Sequence, residues 1–175
     1  MEEIGVAETR DVRPPVTLRP VTTQDREFLV KVYASTRADE MALVDWDEAT
    51  KDAFVRQQFE AQHQQYSARY PDARYQIVLY AGEPAGRIWV GEDETQIRLL
   101  DIALLPEYRN RRVGAALLAD LLEEAARARK PLRHMVFKFN PDATRFYERL
   151  GFRPIEDVGA YIHMEYLPDE GQGET

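Results

Sequence analysis

The sequence predicts an α/β fold, in the order β-α-α-β-β-β-α-β-α-β-β: a mixed, mostly antiparallel sheet with helices on both faces. Three features carry that reading. Ile97 to Leu105 (IRLLDIALL) is aliphatic on both alternating faces, as a strand covered on both sides must be. The apolar positions then switch to a helical period, with Leu117, Leu118, Leu121, Leu122, Ala125 and Ala128 on one side. Leu132 to Phe139 reads as another strand, so this central β–α–β unit needs a parallel crossover.

The other elements follow from local signals. Met1 to Pro15 is polar, ends in Pro14-Pro15, and is expected to be a loose tail. Val16 to Val21 alternates weakly as a short strand. Thr22 to Asp25 is a helix-start signal, and Phe28, Leu29, Val32 and Tyr33 continue at helical spacing. Ser35 to Asp47 reads as irregular. A second helix is expected from Glu48 to Arg69, stopping before Pro71. Arg74 to Tyr80 and Arg87 to Val90 are strands joined at Gly82-Glu83-Pro84, and Glu92 to Glu94 turns into the central strand, which Pro106 ends. Lys130-Pro131 closes the central helix. Asn140-Pro141 opens a short helix with an N-cap and a proline at N1, and Gly151 ends it at a left-handed position. Arg153 to Ile155 and Ala160 to Leu167 make a closing hairpin, and Pro168 to Thr175 is a second polar tail. One domain is expected, spanning residues 16–167.

Composition narrows the function. The 175 residues are 44% hydrophobic and 31% charged, an ordinary globular balance. A net charge of −8 argues against a general nucleic-acid binder. There is no cysteine, which excludes disulfides, thiolate metal sites and a cysteine-acyl intermediate. No apolar run approaches the ~20 residues of a membrane span, and the acidic start lacks signal-peptide features, so the expected location is cytoplasmic. His63, His134 and His163 show no metal spacing.

The turn Arg109-Asn110-Arg111-Arg112-Val113-Gly114 lies where the central helix begins. A helix N-terminus carries unpaired N–H groups and partial positive charge, so arginines there are disfavoured unless an anion sits on the turn. A solvated arginine turn is the competing reading.

With these residues in place, the chain resembles the GNAT N-acetyltransferases. In that family a [Gln/Arg]-x-x-Gly-x-[Gly/Ala] turn cradles the acetyl-CoA pyrophosphate. Arg109 and Gly114 match it, and Arg112 replaces its first glycine. The second family signature is an asparagine seven residues before a tyrosine followed by Gly-Phe, here Asn140, Tyr147 and Gly151-Phe152. The likeness extends from Val16 to Tyr166 in element order and from Leu99 to Phe152 in motif.

The resemblance implies acetyl-CoA as co-substrate, no metal, and a small-molecule amine as acceptor. It implies that the backbone of Ile102, Ala103 and Leu104 pairs with the pantetheine arm, joined by Asn140. The turn Arg109 to Gly114, with Ala115 behind it, would hold the phosphates. Tyr147 would be the general acid. Asp101, the one carboxylate in the central strand, is the candidate base, with a structural acid paired to an arginine as its alternative. A water chain can stand in for a base in this family. The acceptor is expected beside the first two helices and the final hairpin, where Asp39, Glu40, Asp45, Trp46 and Asp47 crowd one loop. Arginine at 112 leaves the backbone accessible if its φ is negative. The rival reading keeps the fold as a non-catalytic acyl-CoA-binding domain, and a homodimer through the final hairpin stays open.

Overall fold

In the computed structural model, residues 12–169 are described. Most of the expected tails, residues 1–11 and 170–175, lie outside them. Seven strands form one sheet in the order β1-β2-β3-β4-β5-β7-β6. The strands are β1 (Val16–Pro20), β2 (Arg74–Tyr80), β3 (Glu83–Glu92), β4 (Ile97–Leu104), β5 (Leu132–Phe137), β6 (Arg153–Val158) and β7 (Tyr161–Tyr166). The helices are α1 (Arg26–Ala42), α2 (Glu48–Arg69), α3 (Val113–Ala128) and α4 (Pro141–Arg149). Among the described residues only β4 and β5 pair in parallel, across the α3 crossover.

The β2–β3 hairpin is tighter than predicted. Ala81 (φ 48°) and Gly82 (φ 82°) are both left-handed, the pairing a two-residue turn of matching twist needs, so Glu83 and Pro84 belong to the strand. Pro84 is tolerated because the ladder is irregular there, between Val78 and Leu79. At Gly86 the backbones of β3 and β4 come close: a Cβ there would stand 2.1 Å from the Ala103 carbonyl oxygen. β6 also runs three residues past the expected Ile155.

Each face of the sheet has its own core. Val78, Ile88, Val90 and Leu99 face Val113, Leu117, Leu118 and Leu121 of α3. Ile77 on the opposite face packs with Leu29, Val30 and Tyr33 of α1 and Val55 and Phe59 of α2.

The stretch read as irregular from Ser35 is helical through Ala42. Ser35 Oγ and Thr36 Oγ1 donate to the Val32 and Tyr33 carbonyls, each at 2.6 Å, so these hydroxyls bond back into the helix rather than ending it. Glu40 therefore sits on α1, paired with Arg37 at 3.0 Å. Asp47 is the N-cap of α2, accepting from the Thr50 N–H at 2.7 Å. Among the described residues no helix is long and apolar enough to cross a membrane.

Candidate active site

The site begins where the sheet opens. β4 and β5 pair at Ile97↔Leu132, Arg98↔Arg133 and Leu99↔His134, and no pair follows, although both strands continue. From Asp101 to Leu104 one edge of β4 stays paired to β3 while the other faces a gap. A cavity of about 680 Å³ passes through this opening, lined by α1 and α2 on one side and by β5 and α4 on the other. Asp101, Ile102, Asn140 and Tyr147 line it; Ala103, Leu104 and the turn residues do not.

Tyr147 is placed by the ends of its own short helix. Asn140 Oδ1 accepts from the Ala143 N–H at 3.1 Å, fixing the start of α4 behind Pro141. At the other end Gly151 has φ 97°, its N–H reaches the Glu148 carbonyl (3.0 Å), and the Phe152 N–H reaches that of Tyr147 (3.1 Å). This double closure anchors the tyrosine's own carbonyl. Its ring is 6% exposed, between Phe146, Phe152 and His134, whose centroids lie 5.2, 5.3 and 4.9 Å away. Burial, with the Asp101 charge adding to it, pushes the phenol well above its ordinary value, so it keeps its proton.

Asp101 Oδ2 accepts from Arg87 Nε at 2.6 Å. Arg87 is 1% exposed and also donates to the Tyr75 hydroxyl (3.1 Å) and Gln62 Oε1 (2.7 Å). The carboxylate therefore has the arginine partner that was its alternative reading, while still lining the cavity. His134 Nδ1 lies 2.9 Å from the Leu99 carbonyl, and burial lowers its pKa, so the ring stays neutral beside Tyr147.

The arginine turn lies beyond the far end of β4. Arg109 Nε donates to the Leu104 carbonyl at 3.0 Å, tying turn to strand. Arg111 stands 5.5 Å from the Tyr80 ring and 5.8 Å from that of Tyr108, a cation–π hold that fixes its direction. Among the described residues no side chain caps α3 and no acid lies in its first turn, so the N–H groups of Val113, Gly114 and Ala115 keep their anion-binding character. A Cβ on Gly114 would meet nothing within 4 Å among the described residues, so their packing does not demand the glycine. These features fit a phosphate-bearing ligand.

Arg112 departs from expectation: its φ is +61°, not negative. It holds the left-handed conformation that the family's glycine would adopt freely, at a cost of roughly 1 kcal/mol. Arg112→Gly removes that backbone strain and should weaken a phosphate-bearing ligand about tenfold, if the guanidinium contributes one charge-assisted contact. Calorimetry with acetyl-CoA as the probe checks this, and unchanged affinity would remove the contact.

Sequence reasoning missed the cavity's basic residues. Arg37, Arg69 and Arg98 line it, and none of Asp39, Glu40, Asp45, Trp46 or Asp47 does. A lone cation in an apolar strand, Arg98 in IRLLD, was the available signal, and Arg37 and Arg69 carry none.

A family model described as the acetyltransferase (GNAT) family matches residues 38–152. The aminoalkylphosphonate N-acetyltransferase of Salmonella typhimurium is 27% identical over 156 residues, covering 82% of this chain and 88% of the relative. The PaiA N-acetyltransferase of Thermoplasma acidophilum, solved in complex with coenzyme A, superposes with a TM-score of 0.66 at 19% identity, covering 87% of this chain and 98% of that one. An acetyltransferase from Thermus thermophilus gives a TM-score of 0.62 at 22% identity, covering 86% and 94%. The two structural likenesses bear on the fold alone.

Proposed function

The chain belongs to the acetyltransferase (GNAT) family, and on that premise we propose that it is an acetyl-CoA-dependent N-acetyltransferase acting on the primary amine of a small molecule, by direct attack within a ternary complex. The observation that carries the proposal is the cavity through the β4–β5 opening, with a buried tyrosine and a carboxylate both on its wall. The domain would span residues 16–167. A relative named for aminoalkylphosphonates supports a small amine as acceptor.

Acetyl-CoA, when bound, supplies an activated acyl group. The free edge of β4 at Ile102, Ala103 and Leu104 would hold the pantetheine arm as an added strand, with Asn140 alongside. Arg109, Asn110, Arg111, Arg112 and the N–H groups of Val113, Gly114 and Ala115 would hold the phosphates. Tyr147 would give its proton to the departing sulfur as the C–S bond breaks. Asp101 would take one proton from the incoming ammonium, directly or through water, so that a neutral nitrogen forms the new C–N bond, and the proton which that nitrogen then sheds would return to the Tyr147 phenolate. Its pairing with Arg87 fixes the carboxylate's position on the wall.

Two measurements test this. Saturating acetyl-CoA at ~100 times its dissociation constant should stabilise the protein by about 2.7 kcal/mol, a rise of several degrees in melting temperature. Free thiol should then appear only when a primary amine is added. Absence of any shift at millimolar acetyl-CoA would overturn the reading. A shift without turnover on any amine would favour the non-catalytic acyl-CoA-binding domain.

A further inference from the structure

The acceptor side of the cavity is basic in a protein whose net charge is −8. Arg37 comes from α1, Arg69 from the last turn of α2, and Arg98 from β4. Asp101 is the only carboxylate among the described lining residues, and Arg87 already balances it.

The manner in which these arginines are held matters more than their number. Arg98 Nη1 donates to His163 Nε2 at 3.1 Å. The Arg69 guanidinium lies 5.7 Å from the Tyr70 ring. Both partners are uncharged, since burial and the neighbouring Arg98 and Arg133 keep the His163 imidazole neutral. Neutral partners set the direction of a guanidinium and leave its charge uncompensated. No acid pairs with Arg69 or Arg98 among the described residues. Arg37 is fixed differently, by the Tyr33 hydroxyl at 3.1 and 3.2 Å and by Glu40.

Position along β4 adds a length. The ladder slips between Trp89 and Val90, so Arg98 faces Gly91 and Asp101 faces Trp89. Gly91 and Trp89 share a face of β3, and the bulge therefore brings Arg98 and Asp101 onto one face of β4. The two are roughly 7 Å apart along the strand, two residues of rise on the partner. We propose that the acceptor is a compact zwitterion, a primary amine joined by a short carbon spacer to an anionic group, with Arg98 and Arg69 holding the anion while the amine lies at Asp101 and Tyr147. This inference rests on the acetyl-transfer reading for the amine half and on the arginines alone for the anion half.

The test compares three acceptors of equal chain length: an ω-aminoalkylphosphonate, an ω-aminocarboxylate and an uncharged n-alkylamine. Wild type should favour one or both anionic acceptors over the alkylamine by ~10²-fold in kcat/KM, and the ratio between the two identifies the acid group. Arg98→Gln and Arg69→Gln should each cut the anionic-to-neutral ratio by about 10-fold or more, the loss of one charge-assisted contact. Arg98→Lys should recover part of it. Equal kcat/KM for all three, or an unchanged ratio in both variants, overturns the anion site and leaves acetyl transfer standing. If no amine is acetylated at all, the acetyl-transfer reading falls, and calorimetry with propylphosphonate and with butyrate decides the anion site alone. Binding by wild type that is weakened in Arg98→Gln upholds the site, and no binding overturns it.

Discussion

Tyr147→Phe is expected to lower kcat by about 10²-fold or more while acetyl-CoA affinity stays nearly unchanged, because in the proposed mechanism the substitution removes only the proton given to the sulfur. The ring keeps its neighbours Phe146, Phe152 and His134, so the apolar packing of α4 survives the change. The direction of the phenol shift bears on the pH profile. Burial and the Asp101 charge both oppose the phenolate, so the folded protein holds this proton at pH values where a solvated tyrosine loses it, above about 10. Any alkaline fall in wild-type kcat that reports this acid should accordingly lie above that range. The linked stability has the same sign: it is fully present below the unfolded phenol's pKa and is lost as pH rises through the folded one. A variant with unchanged kcat and reduced melting temperature would return Tyr147 to the core.

Local chemistry explains which parts of this site were legible in the sequence. The Asn140 cap, the proline after it and the Gly151 closure act within one short helix, and each residue type permits few conformations. Tyr147 could therefore be placed from spacing and resemblance. The central strand and α3 were legible because their periods differ so plainly. Ser35 to Ala42 was misread because its hydroxyls bond backward into α1, a choice that composition does not reveal. The arginines were hidden for a longer-range reason. Strict alternation puts residues 98 and 101 on opposite faces of a strand, and only the slip at Trp89 and Val90 brings them together. Arg37 and Arg69 join them through helices distant in sequence, which no local pattern encodes. The +61° at Arg112 was illegible for the opposite reason: the residue type argues against the conformation that the turn imposes.

Arg87→Met should cost about 3–5 kcal/mol, the penalty for leaving one member of a buried ion pair without its partner. The guanidinium is 1% exposed and serves Asp101, Tyr75 and Gln62 together, so three polar groups lose their donor at once. For a chain of this size the melting temperature should fall by roughly 6–20 °C. Arg87→Met combined with Asp101→Leu replaces both charges and should recover much of that loss, because apolar pairs of similar volume often match a buried ion pair. Chemical denaturation of the wild type, both single variants and the double variant gives the coupling energy, and it stays measurable if Arg87→Met alone is poorly folded. A loss below about 1 kcal/mol in Arg87→Met would mean that Asp101 is not desolvated enough to need its partner. The same four proteins separate structure from chemistry at Asp101. A double variant that is as stable as wild type, binds acetyl-CoA, and turns over at least about 10²-fold more slowly would assign the carboxylate to proton transfer. A stable double variant with wild-type turnover would leave Asp101 as the counter-ion of Arg87 and give the base role to water.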